Sequence, residues 1–307
     1  MARSSDLTRR DFMKTIAAIG ALSVAPRRLL ARQTLPTRAI PSTGEQIPVV
    51  GFGSTKSVLE SPTEGTATIA NVIRMLREYG GRVVDTSPRS EAIDRDFGRV
   101  LQEAEAIQPL FISAKIYTDG AENGIAQFRQ TQRLYGRRTL DLLQVESVRD
   151  LEAHWPNVRS WKESGEARYV GVTVFLDRDH ETLEAVMRRE PLDFDHMNYS
   201  VVETAAENRL LPLARDRGMA VLINRPFMNG DFFQRVAERP LPEWAADFDC
   251  VSWAQFSLKY VLSHPAVTCV LTETTNPAHM EENVQAGFGR LPDEPTRARM
   301  AALLREL

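Results

Sequence analysis

The chain has 307 residues, of which 43% are hydrophobic and 26% charged, a composition that is typical of a globular protein and excludes collagen-like and low-complexity chains. Its 38 Lys and Arg against 41 Asp and Glu give a net charge of −3, without the basic excess of most nucleic-acid-binding proteins, so we expect no nucleic-acid partner. Two cysteines are too few for a disulfide scaffold, and no apolar run reaches the roughly 18 residues of a membrane span. We expect neither a bound metal nor a stable membrane span.

Residues 1–32 are predicted to form an export signal that precedes the folded domain, residues 33–307. Residues 8–14 read TRRDFMK and resemble the twin-arginine pattern S/T-R-R-x-F-L-K, with Met13 in place of the usual Leu. A weakly apolar run follows, and Ala31 offers a small residue near a cleavage point. The pattern predicts that the twin-arginine translocation machinery delivers the protein to the periplasm or another exported location. The alternative is a short amphipathic helix with two surface arginines, Arg9 and Arg10.

Short β-rich runs recur along the rest of the chain. They are apolar and bounded by turn residues, which is typical of strands buried on both faces of a parallel sheet. A β-hairpin around Gly44 is predicted to precede them. The eight predicted strands are Val49–Gly53, Arg82–Thr86, Leu110–Lys115, Leu140–Val145, Ala167–Val174, Phe194–Tyr199, Met219–Asn224 and Val267–Leu271.

The segments between these strands have helical periodicity. The predicted helices include Ala67–Tyr79, Thr182–Arg189, Leu210–Arg217 and Val251–Leu262. Eight strand–helix pairs over roughly 260 residues predict an α/β fold, the (β/α)8 TIM barrel. A doubly wound sheet is the competing fold, but residues 51–56, GFGSTK, lack the third glycine of the G-x-G-x-x-G turn that such a sheet usually carries.

The carboxyl ends of the strands are where the active site of such a barrel lies. The residues at these positions are, in chain order, Ser54, Asp85, Lys115, Glu146, Thr173, Asn198 and Arg225. We predict a charged cluster of Asp85, Lys115 and Glu146 in the barrel mouth, with Asp85 and Lys115 within ion-pairing reach. Two interpretations remain open: the pair belongs to an active site, or it is a buried ion pair that only stabilises the barrel.

From Ile40 onward the ordered set of motifs resembles the aldo/keto reductase family. The motifs are IPVVGFGS at 47–54, VVDTSP at 83–88, ISAK at 112–115, DLLQV at 141–145, VGVT at 170–173, NYS at 198–200, LLPLA at 210–214, LSHP at 262–265 and NPAHMEEN at 276–283. The resemblance implies a barrel that binds NADP or NAD and reduces a carbonyl group of a small-molecule substrate. It also implies that Asp85 and Lys115 belong to the catalytic group.

Two departures affect the catalytic group that this resemblance implies. In the family, a Tyr protonates the substrate oxygen, a Lys lowers the pKa of the Tyr, an Asp orients the Lys, and a His orients the substrate. Here Arg89 follows Pro88 at once, so the segment that carries the Tyr is absent, and Glu146 replaces the His. A Glu at this place resembles the steroid double-bond reductases of the family, in which a protonated Glu assists reduction of an enone. Equally, Glu146 could be structural and pair with Lys115.

Tyr117 is a predicted replacement for the missing Tyr. It follows Lys115 by two residues, so on an extended strand both side chains point the same way, and Tyr117 could enter the barrel mouth. Glu146 is the other candidate proton donor, provided that burial keeps it protonated. The alternative for Tyr117 is that it only covers the loop after the third strand.

The resemblance also implies cofactor-binding positions, several of which carry unusual residues. Thr173 stands where the family has Ser, His196 where it has Gln, and Asn224 where a Tyr stacks on nicotinamide. Glu273 stands where a Lys or Gly lies near the 2′-phosphate and would repel that phosphate, so both NADP and NAD remain open. The predicted cofactor-binding residues are Ser54, Thr173, His196, Asn224, Arg225, Thr274, His279 and Asn283.

These observations predict an exported aldo/keto-reductase-like oxidoreductase that reduces a carbonyl or an enone with a nicotinamide cofactor. One alternative is a barrel that lost redox catalysis with the Tyr and binds a small molecule. Another alternative is a lyase or isomerase that uses Lys115 and Glu146 as base and acid. Binding of a nicotinamide cofactor would favour the oxidoreductase over both alternatives.

Overall fold

An antiparallel hairpin opens the part of the chain described by this computed structural model, residues 33–59 and 66–307. Its strands, β1 (Thr37–Ala39) and β2 (Gln46–Pro48), pair with Thr37 opposite Pro48. Gly44 lies in the turn with a φ of 77°, which glycine adopts without steric cost, and the predicted hairpin is confirmed. The predicted export signal, residues 1–32, lies outside the described residues.

Eight parallel strands follow and close into a barrel. They are β3 (Val50–Gly53), β4 (Val83–Asp85), β5 (Phe111–Ile116), β6 (Leu140–Glu146), β7 (Ala167–Thr173), β8 (Phe194–Asn198), β9 (Ala220–Asn224) and β10 (Cys269–Thr272). Strand β10 pairs with both β9 and β3, which closes the ring. The predicted (β/α)8 barrel is confirmed, and each predicted strand overlaps an observed one to within two residues at either end.

Helices follow the strands and pack around the barrel. They are α1 (Thr55–Leu59), α2 (Ala67–Glu78), α3 (Glu91–Glu105), α4 (Ala121–Tyr135), α5 (Leu151–Glu163), α6 (His180–Arg189), α7 (Leu210–Asp216), α8 (Asp231–Val236), α9 (Trp253–Ser263), α10 (Pro277–Gln285) and α11 (Glu294–Arg305). Short 3₁₀ turns cover Asp177–Asp179, Ala205–Glu207, Met228–Gly230 and Glu243–Phe248. The four predicted helices correspond to α2, α6, α7 and α9. In the described ranges, no helix combines the length and hydrophobicity needed to cross a bilayer.

The hairpin closes the amino-terminal end of the barrel. Ile40 and Ile47 pack with side chains of the barrel interior, among them Phe111 and Phe194. The ring centroids of Phe111 and Phe194 lie 5.9 Å apart, and Tyr169 meets Phe194 edge to face at 5.6 Å. This end is therefore filled with apolar side chains, while a second, larger core cluster lies between the strands and the helices.

Asp195 is a buried carboxyl group on the outer face of β8. Its neighbour Phe194 points into the barrel, and strand alternation directs Asp195 to the helix layer. Neither carboxyl oxygen has a hydrogen-bond partner among the described residues. Burial raises the pKa of Asp195 to about 8, although the charge of Arg217 opposes this rise. The group is therefore mostly protonated in the folded protein at neutral pH.

The raised pKa of Asp195 predicts that the free energy of unfolding depends on pH. Because its pKa is raised in the folded state, the unfolded chain loses the proton above about pH 4 while the folded protein keeps it. Stability should therefore fall between about pH 4 and pH 8, by up to about 1.4 kcal/mol per pH unit from this group. We expect Asp195→Asn, which keeps the shape without the charge, to remove this slope. Urea unfolding of both proteins at several pH values measures it, and equal slopes would contradict the prediction.

Candidate active site

A cavity of about 590 Å³ lies at the carboxyl ends of the barrel strands. Of the strand-end residues predicted from the sequence, Asp85, Lys115, Glu146, Thr173 and Arg225 line it. The lining also includes His196, Asn224 and Thr274, so the structure brings most of the predicted catalytic and cofactor-binding residues to one cavity. This is the position of the active site in (β/α)8 enzymes.

The predicted ion pair is confirmed at the centre of this cavity. The Nζ atom of Lys115 lies 2.7 Å from Oδ2 of Asp85, and both side chains are nearly inaccessible to solvent. The register of the sheet explains the contact: Asp85 stands opposite Ser113 on β5, and Lys115 follows Ser113 on the same face. The Oγ of Ser113 also donates to Oδ1 of Asp85 at 2.6 Å.

The charge state of this pair follows from its mutual attraction. Burial alone would raise the pKa of Asp85, but the charge of Lys115 and the hydrogen bonds from Lys115 and Ser113 lower it below its ordinary value. Burial would likewise lower the pKa of Lys115, but Asp85 and Glu146 raise it. Lys115 is therefore an ammonium at neutral pH, and its Nζ donates hydrogen bonds to Asp85 and Ser87. This charge state argues against Lys115 as the base of a lyase or isomerase.

Ser87 contacts the Asp85–Lys115 ion pair. This contact was not predicted from the sequence. Its Oγ accepts a hydrogen bond from Nζ of Lys115 at 3.1 Å and another from Oγ1 of Thr55 at 3.2 Å. Ser87 and Thr55 both line the cavity. Ser87 follows Asp85 by two residues, but β4 ends at Asp85, so strand spacing alone could not place its hydroxyl beside Lys115.

Several buried polar atoms of the lining have no partner among the described residues. They are Oγ of Ser57, Oε2 of Glu146, Nε2 of His196, Oδ1 of Asn224 and Nε of Arg225. Buried polar atoms are nearly always paired in proteins, so their convergence on one cavity indicates a place for a polar ligand. Such an arrangement suits a ligand with both hydrogen-bond donors and acceptors.

His196 is neutral at this site. Burial lowers its pKa to about 4, although the nearby carboxylate of Asp85 opposes this shift. Nε2 of Gln144 lies 3.4 Å from Nδ1 of His196. Because this amide nitrogen donates, we assign the imidazole proton to Nε2, which belongs to the cavity lining. His196 then offers the cavity a hydrogen-bond donor, and Oδ1 of Asn224 offers an acceptor.

Glu273 joins the loop after β10 to the start of α1. Its Oε1 accepts hydrogen bonds from the backbone N–H groups of Lys56 and Ser57, the latter at 2.7 Å. Glu273 and Thr274 both line the cavity. A carboxylate therefore stands where the sequence comparison with the family expects contacts to a 2′-phosphate. No three His, Cys, Asp or Glu side chains of residues 33–59 and 66–307 are grouped as a metal site would require.

Three predicted cofactor-binding residues do not line the cavity. Ser54 is buried beside it, and its Oγ donates to the backbone carbonyl of Asp85 at 2.8 Å. Its neighbours Thr55 and Ser57 line the cavity instead. On α10, Asn283 is buried and His279 is exposed. The roles of Ser54, His279 and Asn283 in cofactor binding remain predictions.

Tyr117 does not enter the barrel mouth, so that prediction is wrong. Strand β5 ends at Ile116, and the alternation that would align Tyr117 with Lys115 stops there. The backbone N–H of Tyr117 instead donates to the side chain of Gln127 at 2.7 Å. The ring is 44% exposed, and the guanidinium of Arg149 lies 4.8 Å from its centroid. Tyr117 covers the loop after β5, as the alternative interpretation held.

Arg89 occupies the turn after β4, where the family's Tyr-bearing segment is absent. Its Nε donates to Asp94 at 2.9 Å, and its guanidinium lies 4.8 Å from the ring centroid of Phe97. Its side chain is only 2% exposed and does not line the cavity. Within the described part of the chain, no tyrosine lines the cavity.

Comparisons with known proteins agree with this fold. The sequence profile of the aldo/keto reductase family matches residues 50–301. The NADH-specific methylglyoxal reductase of Escherichia coli (strain K12) is 25% identical in an alignment of 172 positions that covers 48% of this chain and 50% of that protein. The alignment thus spans about half the length of this curated relative.

Solved structures with the same fold include a glycerol dehydrogenase and an aldo-keto reductase. The glycerol dehydrogenase of Gluconobacter oxydans superposes with a TM-score of 0.72 at 16% identity, covering 88% of this chain and 95% of that one. An aldo-keto reductase from Klebsiella pneumoniae in complex with NADPH gives a TM-score of 0.69 at 16% identity, covering 89% and 96%. At these identities the likeness establishes the barrel fold.

The chain belongs to the aldo/keto reductase family, because the family profile matches most of its length. This is a family of nicotinamide-dependent oxidoreductases, so the predicted class of enzyme and class of cofactor are confirmed at the level of the family.

Proposed function

We propose that the chain is an exported oxidoreductase that binds a nicotinamide dinucleotide in the barrel mouth and reduces a carbonyl or an enone of a small-molecule substrate. The observation that carries the proposal is the cavity in which the buried Asp85–Lys115 pair faces unpartnered polar atoms of Glu146, His196 and Asn224. A charged pair that only stabilised the barrel would not need unpaired polar groups beside it.

The residues present fit the nicotinamide end of such a cofactor. A carboxamide carries one carbonyl acceptor and an N–H₂ donor, which complement the Nε2 donor of His196 and the Oδ1 acceptor of Asn224. Thr173 and Arg225 line the same part of the barrel mouth and would help to hold the group. When bound, the cofactor supplies a hydride to the substrate carbon.

The charged residues of the chain then act on the substrate oxygen. Reduction of a carbonyl leaves negative charge on that oxygen, and the buried ammonium of Lys115 stabilises it. Asp85 keeps Lys115 charged and oriented through the 2.7 Å ion pair. Glu146 offers a carboxyl oxygen, Oε2, that has no partner among the described residues and can hydrogen-bond a substrate group.

The species of cofactor is proposed to be NADH. Glu273 brings a negative charge to the cavity, which opposes the 2′-phosphate of NADPH and leaves a ribose hydroxyl able to donate to a carboxylate oxygen. The relative from Escherichia coli is named as an NADH-specific reductase of methylglyoxal. Methylglyoxal is therefore the first carbonyl substrate to assay, followed by an enone.

Nicotinamide titration of the purified protein tests the proposal. We expect NADH to quench the tryptophan fluorescence in a saturable way, and methylglyoxal or an enone to oxidise bound NADH. Replacement of His196 by Leu should weaken NADH binding by roughly tenfold, the effect of one lost hydrogen bond in a buried site. Wild-type protein that binds neither NADH nor NADPH would overturn the proposal.

A second candidate is a small-molecule binding protein without redox turnover. The observation that favours it is that no tyrosine of the described residues lines the cavity. The same titration separates the candidates. Saturable NADH binding without oxidation across a broad panel of carbonyls and enones would support the binding protein.

Export is proposed from the twin-arginine pattern of residues 8–14 and the weakly apolar run after it, which lie outside the described residues. We predict that replacement of both Arg9 and Arg10 by Lys leaves most of the protein in the cytoplasm, because the twin-arginine pathway reads the pair itself rather than its charge. The control is the same double replacement at Arg27 and Arg28, which follow the apolar run. Fractionation of cells into cytoplasm and periplasm measures the outcome, and unchanged periplasmic delivery of the Arg9/Arg10 variant would reject the assignment.

A further inference from the structure

Reduction of a carbonyl requires a proton as well as a hydride. The negative oxygen left by hydride transfer must receive that proton from a group in contact with the cavity. No tyrosine of the described residues lines the cavity, and Tyr117 lies outside it with an exposed ring. The donor must therefore be sought among the other hydroxyl, carboxyl and ammonium groups of the lining.

The hydrogen bonds of Ser87 distinguish it from the other hydroxyl groups. Its Oγ accepts from Lys115 and from Thr55, which use both of its lone pairs. Because Lys115 and Thr55 are the donors in these two contacts, the hydroxyl proton of Ser87 is not committed to either of them. The side chain is buried yet lines the cavity, so this proton is available to a bound ligand.

We propose that Ser87 is the proton donor of the reduction and that Lys115 reprotonates it. The inference rests on the proposed oxidoreductase function. A bound nicotinamide cofactor would supply the hydride of the new C–H bond as the carbonyl π-bond breaks, and would itself be oxidised. The substrate oxygen then takes the proton of Ser87 Oγ, and Ser87 takes a proton from the ammonium of Lys115. Lys115 regains its proton from water that enters the cavity.

The chemistry of each group suits its place in this relay. An alkoxide is much more basic than an amine, so the net transfer from Lys115 to the substrate oxygen runs downhill. The Nζ–Oγ hydrogen bond of 3.1 Å polarises the Ser87 hydroxyl toward donation. Because Asp85 raises the pKa of Lys115, the lysine starts each turnover protonated. A serine alone would be a poor acid, and the ammonium behind it removes that difficulty.

Arg89 acts as a positioning residue for Ser87. Its guanidinium donates to Oγ1 of Thr86 at 2.9 Å and also binds the backbone carbonyl of Ser54. Asp94 holds the same guanidinium through Nε and accepts from the backbone N–H of Arg89 at 2.9 Å. The turn that carries Ser87 is thus tied to the start of α1, where Thr55, the second donor to Ser87, lies.

The test compares Ser87→Ala with Ser90→Ala in the full chain. Ser90 lies on the same turn, is exposed, caps α3 and does not line the cavity. We expect Ser87→Ala to lower kcat by about 10²-fold or more, the usual effect of losing a general acid, with NADH affinity unchanged. Ser90→Ala should keep wild-type turnover. Ser87→Thr, which retains a hydroxyl, should recover a substantial part of the activity.

A binding measurement provides a readout that does not depend on turnover. Acetate offers a charged oxygen in place of the substrate oxygen, and calorimetric titration of the protein with NAD⁺ present measures its affinity. We expect Ser87→Ala to weaken acetate binding roughly tenfold, as the loss of one charge-assisted hydrogen bond implies. Ser90→Ala should leave acetate binding unchanged.

The outcomes separate this inference from the proposed function. If wild-type protein reduces a carbonyl and Ser87→Ala does so within about threefold of the wild-type rate, a loss far below that of a general acid, the inference fails and Lys115 donates directly. If Ser87→Ala instead loses NADH binding, the serine is a binding residue and the inference also fails. If the wild-type protein neither binds NADH nor turns over, the proposed function fails first and the inference falls with it.

Discussion

Replacement of Lys115 by Met is expected to lower turnover by about 10³-fold or more and to destabilise the fold by about 3–5 kcal/mol. Both effects have one origin. The substitution removes the ammonium that stabilises negative charge in the cavity, and it leaves the carboxylate of Asp85 buried without its cation. Assays of turnover together with urea unfolding measure the two effects on the same protein.

A double variant separates the catalytic effect from the stability effect. Lys115→Met with Asp85→Asn removes both charges, and neutral replacement of a buried ion pair is often nearly neutral in stability. We expect the double variant to regain much of the lost unfolding free energy, because Ser113 and Gln144 still hydrogen-bond the side chain at position 85. It should not regain turnover, because the ammonium is still absent.

Lys162→Met provides the matched control. Lys162 also pairs with a buried aspartate, with its Nζ 2.6 Å from Oδ2 of Asp193, but it does not line the cavity. The control should lose stability while keeping wild-type turnover of the remaining folded protein. Equal turnover in Lys115→Met and Lys162→Met would show that the Asp85–Lys115 pair only stabilises the barrel.

The fold was largely predictable because barrel strands carry a strong local signal. Each strand is short, apolar and buried on both faces, so its sequence pattern can be recognised without knowledge of the neighbouring strands. The Asp85–Lys115 contact was predictable for the same reason, since both residues lie at the carboxyl ends of strands that are adjacent in the barrel. The resemblance to the aldo/keto reductase family then indicated which chemistry the residues at these strand ends perform.

The errors occurred where a strand stops. Tyr117 was placed by extending the alternation of β5 by one residue, but β5 ends at Ile116 and the backbone turns toward Gln127. Ser87 was missed although it follows Asp85 by two residues, because β4 ends at Asp85 and strand alternation does not extend to Ser87. Neither local pattern contains the tertiary contact that decides where the chain turns or which hydroxyl meets Lys115.

The sequence also could not predict that the carboxyl group of Asp195 lacks a hydrogen-bond partner among the described residues. Strand alternation predicts that Asp195 faces away from the barrel interior, but not whether a cation of the helix layer reaches it. In the structure the carboxyl group lies fully buried with neither oxygen hydrogen-bonded among the described residues. Its raised pKa is therefore a property of the packed helices, which only the three-dimensional arrangement specifies.

Glu273→Lys is expected to change the preference between cofactors, raising the ratio of NADPH to NADH affinity by roughly 30-fold or more. Removing a like charge and adding an opposite one are each worth about 1 kcal/mol at a partly solvated position, which is about five- to tenfold in Kd. NADH affinity should change little, because the ribose hydroxyl is uncharged. Titrations with both cofactors at low ionic strength measure the ratio.

Glu273→Gln tests whether charge or shape determines this preference. The amide oxygen can still accept from the backbone N–H groups of Lys56 and Ser57, so the loop keeps its position while the negative charge is removed. We expect an increase in the NADPH to NADH ratio of about fivefold, intermediate between wild type and Glu273→Lys. The differences in the NADPH to NADH affinity ratio among wild type, Glu273→Gln and Glu273→Lys should also become smaller as salt is added. The reason is that interactions between exposed charges are screened within about 10 Å at 0.1 M salt.

Glu163→Lys is the control for net charge in this series. It makes the same charge reversal on an exposed position of α5, away from the cavity, and should leave the affinity ratio unchanged. If Glu273→Lys and Glu163→Lys give the same ratio as wild type, the carboxylate of Glu273 does not face the 2′-phosphate. Its role would then be confined to holding the loop after β10 against α1 through the two backbone N–H groups.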